Sequence, residues 1–143
     1  MKTLIFILLL APIASVAQDF VRIEKELLKE LNWRRAKNLR PPVRYDSSHQ
    51  RVTDKFAMRI VKQYYHAGGE YRGEVIGQFI DEKLILQGFF DSPKHKKALL
   101  DIGATRVCIA AYKVPEKTIK KGNTTTFIAP LYYVVIRTYS NAY

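Results

Sequence analysis

The chain has 143 residues, 48% hydrophobic and 26% charged, with 24 Lys and Arg against 13 Asp and Glu for a formal charge of +11. That length suits one domain built on one core. The single cysteine, Cys108, excludes an internal disulfide, so packing alone must hold the fold.

Lys2 precedes an apolar run from Leu4 to Pro12, and Ser15-Val16-Ala17 places small residues where a signal peptidase reads. The run is shorter than the ~20 residues needed to span a bilayer. These features predict a signal peptide over 1–17, cleaved after Ala17, and a mature domain over 18–143 with no transmembrane segment. The expected product is a monomer, periplasmic or secreted. Its lack of disulfides fits a bacterial exported protein better than a small animal or plant secreted domain. Asn123-Thr124-Thr125 is a glycosylation sequon, with meaning only in a eukaryotic secretory pathway. The positive charge favours anionic partners such as envelope polymers or lipid head groups. The basic clusters at Arg34-Arg35-Lys37, Lys94-Lys96-Lys97 and Lys117 to Lys121 form no nucleic-acid motif, so no specific nucleic-acid partner is expected.

Phe20, Ile23, Leu27, Leu28 and Leu31 recur at helical spacing and predict a helix over 20–37, with Asp19 as N-cap and Pro41-Pro42 ending it. A second helix starts at Tyr45-Asp46-Ser47-Ser48 and runs to about residue 63, burying Val52, Phe56, Ile60 and Tyr64. His49 lies one turn before Val52 and reads as a helix-start residue, not a ligand. Ala67-Gly68-Gly69 is a loop, and 70–76 a short strand. A short helix over 82–90 buries Leu84, Ile85, Leu86, Phe89 and Phe90. Ser92-Pro93 opens another, with Ser as cap and Pro at the first helical position, ending near Gly103. The period then changes. Residues 106–114 and 124–139 read as two long antiparallel strands around a turn at Lys120-Lys121-Gly122-Asn123, with a break at Pro130. Helices followed by a hairpin make the class α+β, with helices covering a small antiparallel sheet.

Chemistry concentrates in one stretch. Of three histidines, two, His66 and His95, fall with Glu74 between residues 66 and 95. Neutral imidazoles and a carboxylate bind divalent metals or move protons near neutral pH. The helix start at Ser92 disfavours imidazolium at His95. Two histidines and one carboxylate could supply the three protein ligands of an open zinc site, and Glu74 the general base of a metal-assisted hydrolase. Cys108 reads as a buried strand residue, not a nucleophile.

Five motifs in register resemble the CAP superfamily (cysteine-rich secretory proteins, antigen-5, pathogenesis-related proteins; the SCP domain), in its cysteine-poor bacterial branch. Asn32-Trp-Arg-Arg35 resembles the family's Asn-x-x-Arg. Pro41-Pro42-Val43-Arg-Tyr45-Asp46 is similar to its Pro-Pro-Leu-x-Tyr/Trp-Asp, and Gly73-Glu74-Val75-Ile76 to Gly-Glu-Asn-Ile. Phe89-Phe-Asp-Ser92-Pro93-Lys-His95 resembles the bacterial Trp-x-x-Ser-Pro-x-His, and Thr105-Arg-Val107-Cys108-Ile109 falls where bacterial members have Thr-x-Ile-Gly-Val. The resemblance implies an α-β-α sandwich, a cleft holding His66, Glu74, His95 and Ser92, and Asn32 and Arg35 as structural motif residues. The family cleft carries two histidines and two acids; here Ser92 stands near the second acid's place. Val75, Phe89 and Cys108 replace the family's asparagine, tryptophan and glycine. The resemblance implies a binding or effector module for a small ligand or a divalent metal such as zinc, with tentative ligands His66 and His95. The alternatives are a hydrolase of peptide or ester bonds and charge-driven adhesion to envelope polymers.

Overall fold

The computed structural model describes residues 11–141, with side chains from residue 22 onward. Helix α1 spans Ala11–Lys37. It begins well before the predicted N-cap: Asp19 lies inside it. Residues 1–10 of the expected leader lie outside the described residues. Among the described residues, no helix is long and apolar enough to cross a membrane.

Ile23, Leu27 and Leu31 form the buried stripe of α1. The helix ends four residues before Pro41, on its own hydrogen bonds. Leu39 N–H donates to Ala36 O and Arg40 N–H to Arg35 O, while Leu39 adopts a left-handed φ of 53°. This closure satisfies the last carbonyls of the helix and normally takes glycine. Two side chains of the last turns then direct the chain onward. Asn32 pairs with the backbone of Val43 in both directions, at 3.0 and 2.8 Å. Arg35, fully buried, donates to Pro41 O, Leu99 O, Asp101 O and Ala104 O, tying the segment after α1 to the one after α4, Pro93–Leu99.

The segment Arg44–Tyr45 forms a two-residue strand, β1, too short to show a period in sequence. Helix α2 covers Ser47–Ile60, capped by Asp46, whose carboxylate accepts from Ser48 N–H. Its buried stripe is Gln50, Thr53, Phe56, Ala57 and Ile60. The predicted stripe is met at Phe56 and Ile60 but not at its ends: Val52 is exposed, and the helix stops three residues earlier than expected, before Tyr64. Polar Gln50 and Thr53 disguise the true stripe, since each is buried on a hydrogen bond, to Ile109 O and His49 O.

Strand β2 is Gly73–Phe79, three residues further along than predicted. A 3-10 turn over Glu82–Leu84 leads into α3, Ile85–Asp91. Leu84, expected to be buried, is exposed, because the regular helix begins only after it. Pro93 sits at the start of α4 as expected, but the Ser92 side chain makes no capping bond, and the helix ends at Leu99 instead of near Gly103.

The C-terminal hairpin is one register interrupted once. Strand β3, Arg106–Val114, pairs with β6, Leu131–Tyr139; strand β4, Lys117–Lys121, pairs with β5, Thr124–Ile128. Val114 faces Leu131 before the break and Lys117 faces Ile128 after it, so Pro115 and Pro130 stand opposite one another. Neither can donate to the ladder, which opens there. The two-residue turn at Gly122-Asn123 has positive φ at Gly122, 60°, as its twist requires.

The main sheet has the order β1-β3-β6-β2, with β1 parallel to β3 and the other pairs antiparallel. One face packs against α1, α3 and α4 through Leu31, Ile85, Phe89, Leu99, Val107 and Ile136. The other packs against α2 through Phe56, Ile60, Ile76, Ala110 and Val135. The result is the expected α-β-α sandwich within the α+β class.

Candidate functional site

Strand alternation decides what Glu74 meets. Ile76 and Val135 face α2, so Glu74 on β2 and its register partner Arg137 on β6 face the same way. Arg137 Nε donates to Glu74 Oε2 at 2.8 Å, with both side chains almost fully buried. The Arg137 guanidinium lies 4.4 Å from the Phe56 ring centroid and 5.0 Å from that of Tyr71. Burial, with the neighbouring Glu74 carboxylate, pushes the Tyr71 phenol up.

The segment after α2 brings His66 over this pair. Tyr64 Oη donates to Ile76 O at 2.9 Å, and Tyr65 sets its ring edge-on to Phe56. His66 Nδ1 then lies 3.1 Å from Glu74 Oε1, which also accepts from Ala67 N–H at 3.2 Å. Pairing with a carboxylate favours the tautomer protonated on Nδ1, leaving Nε2 as an acceptor. The His66 side chain is 54% exposed, so that acceptor is open to solvent while the carboxylate beneath it is shielded.

His95, half-buried on α4, sets its ring edge-on to Phe89 at 5.4 Å. Its pKa is lowered, first by burial, then by the nearby charges of His66 and Lys94. Both effects favour its neutral imidazole form. Ser92 stands half-buried at the start of α4. The structure thus joins His66 to Glu74 directly and places His95 within electrostatic reach of His66.

Arg137 bears on the zinc expectation. Glu74 has one oxygen committed to Arg137 and the other to His66 and Ala67, so the set does not fit a three-ligand zinc site. Among the described residues, no group of three or more His, Cys, Asp or Glu side chains is placed to hold a metal ion. The same contacts engage both oxygens of Glu74, the candidate general base. Arg137 had a signal in sequence: it interrupts the apolar run Leu131 to Ile136, and a buried arginine needs a carboxylate or carbonyls.

Two further clusters lie outside this site. Asp46 accepts from Arg106 Nη1 at 2.8 Å and lies 2.9 Å from His49 Nδ1, while the His49 ring stacks on Tyr139. Burial works to raise the Asp46 pKa, but hydrogen bonds from Ser48 and His49 and the Arg106 charge outweigh it and hold it below the usual carboxylate range. Cys108 is buried, its Sγ–H donating to Asp46 O, and burial pushes its thiol up to about 12, so it is not a nucleophile.

This architecture is the fold of solved SCP-domain proteins. The chain superposes on an extracellular protein containing an SCP domain from Bacillus anthracis with TM-score 0.63 and 15% identity, over 92% of this chain and 44% of that one. This chain thus spans less than half the length of the Bacillus protein. It also superposes on an outer surface protein from Borrelia burgdorferi (TM-score 0.59, 14% identity, 84% of this chain and 94% of that one). A third similar structure is MpPR-1i (TM-score 0.54, 12% identity, 85% and 90%). No family model matches the sequence, and no curated protein does.

Proposed function

We propose that this chain is an exported CAP-domain binding module, with no catalytic role assigned to its cleft, and that His66 and His95 contact a small polar ligand there. The observation that carries the reading is the His66–Glu74–Arg137 relay. Arg137 compensates the Glu74 charge, Glu74 orients His66, and His66 presents Nε2 outward as an acceptor. A ligand hydroxyl suits that acceptor, and the overall charge of +11 favours a ligand that also carries an anionic group. Export rests on the leader over 1–17, and N-terminal sequencing of the exported protein should read Gln18 first.

The cleft is tested by following imidazole C–H signals in NMR during titration with glycerol 3-phosphate, a hydroxyl-bearing anion. Signals of His66 and His95 should shift and saturate, with little change at His49, and His66→Ala should abolish the saturable response at His95. Shifts that do not saturate, or that appear equally at His49, reject the cleft as a binding site.

A further inference from the structure

The loops that Arg35 ties together frame an open groove of about 780 Å³, whose lining includes the neighbours of His95 on α4 but no histidine. It is lined by the basic side chains of Arg40, Lys94, Lys96 and Lys97 and by Pro93, Leu100 and Ile102. Arg72 and Asp101 also line it, but they neutralise each other, Arg72 Nε lying 2.5 Å from Asp101 Oδ2. Arg40 is held by its Nε bond to Leu100 O, which sets the 39–42 segment beside the 99–104 segment. Two aliphatic side chains project from these segments: Leu39 is 90% exposed and Ile102 66%. Leu39 also occupies the left-handed position that glycine takes without strain. The chain therefore keeps an exposed leucine where folding alone would favour glycine.

We propose that this face is a docking surface for an anionic lipid bilayer, separate from the His66 cleft and independent of the ligand assigned to it. The basic walls match the negative surface of such a membrane, each lysine or arginine near it strengthening binding about fivefold. Leu39 and Ile102 enter the interfacial region, where their apolar surface leaves water. A soluble polyanion would use the charges and leave both aliphatic groups exposed. A nucleic acid would want aromatic platforms for its bases, and the groove lining has none.

The test is co-sedimentation of the full chain with phosphatidylcholine vesicles, with and without about 30% phosphatidylglycerol, at about 0.15 M salt, where the Debye length is near 8 Å. The apolar leader is common to every variant, so the readout is the difference between variants, each checked for folding by circular dichroism. Phosphatidylglycerol should strengthen binding about tenfold or more, and Lys96→Gln/Lys97→Gln should weaken it about 25-fold. Leu39→Gly should weaken it about tenfold while raising the melting temperature, and Ile102→Ser should weaken it by a similar factor. Equal binding to neutral vesicles overturns the proposal. So does wild-type affinity in both Leu39→Gly and Ile102→Ser, and full competition by soluble polyphosphate in that case would identify a polyanion site instead.

Discussion

Replacing Arg35 by methionine should destabilise the protein by about 3–5 kcal/mol. The guanidinium makes four hydrogen bonds to backbone carbonyls: Leu99 O at 2.6 Å, Pro41 O at 2.8 Å, Asp101 O at 3.2 Å and Ala104 O at 3.3 Å. Methionine fills similar volume but donates nothing. The bonds to Leu99 O and Ala104 O are buried, and each carbonyl left unpaired there costs about 1–3 kcal/mol. Pro41 O and Asp101 O are only partly buried and recover water. Removing a buried charge returns some desolvation energy, which keeps the net loss below the sum of the bonds. Domains of this size have about 5–15 kcal/mol in total, so a fifth or more of the stability would go. Lysine should not rescue: a compact ammonium with three donors cannot replace the planar fork, and Arg35→Lys should still lose about 2 kcal/mol. Urea unfolding followed by circular dichroism measures both. Hydrogen exchange should show the loss first at residues 41–43 and 99–104. An Arg35→Met variant within about 1 kcal/mol of wild type would refute the account, since two buried carbonyls would then be costless.

Burial pushes the Glu24 carboxyl up to about 7, against a weak bond from Ala111 N–H. A raised pKa means that the folded state holds the extra proton, so stability falls as pH rises from about 4.5 through 7. Glu24→Gln should remove that slope, gaining about 1 kcal/mol at pH 8, after allowing for solvent screening, and little at pH 5; equal gains at both pH values would contradict it. Gly77 packs under two rings: an added Cβ would lie 2.5 Å from Phe79 Cε2 and 2.9 Å from Phe89 Cε1. Gly77→Ala should cost about 1–3 kcal/mol by thermal unfolding, and a neutral result would mean that both rings move aside freely.

The hairpin was legible in sequence because its determinants are local. Gly122 sets the turn, the alternation sets the faces, and Pro130 marks the break; Pro115 opposite it completes the explanation. The α2 stripe was legible at Phe56 and Ile60, but its start was not, because Gln50 is buried by its hydrogen bond to Ile109 O, a contact between residues far apart in the chain. Its Oε1 remains buried without a partner, which no apolar periodicity would anticipate. The proximity of His66 and Glu74 followed from motif order. The partner that decides their chemistry did not, because Arg137 meets Glu74 only through the β2–β6 register.

The paired prolines divide the hairpin between two sheets. Every residue of β4 and β5 is exposed, and the arm pairs only with itself. A two-stranded hairpin of this kind is marginal in water, so it opens and closes freely. Where Pro115 faces Pro130 no backbone N–H is available to carry that fraying inward, and β3 and β6 stay zipped. The arm is therefore free to lengthen, shorten or change its surface over evolutionary time, while the core beneath it keeps its register.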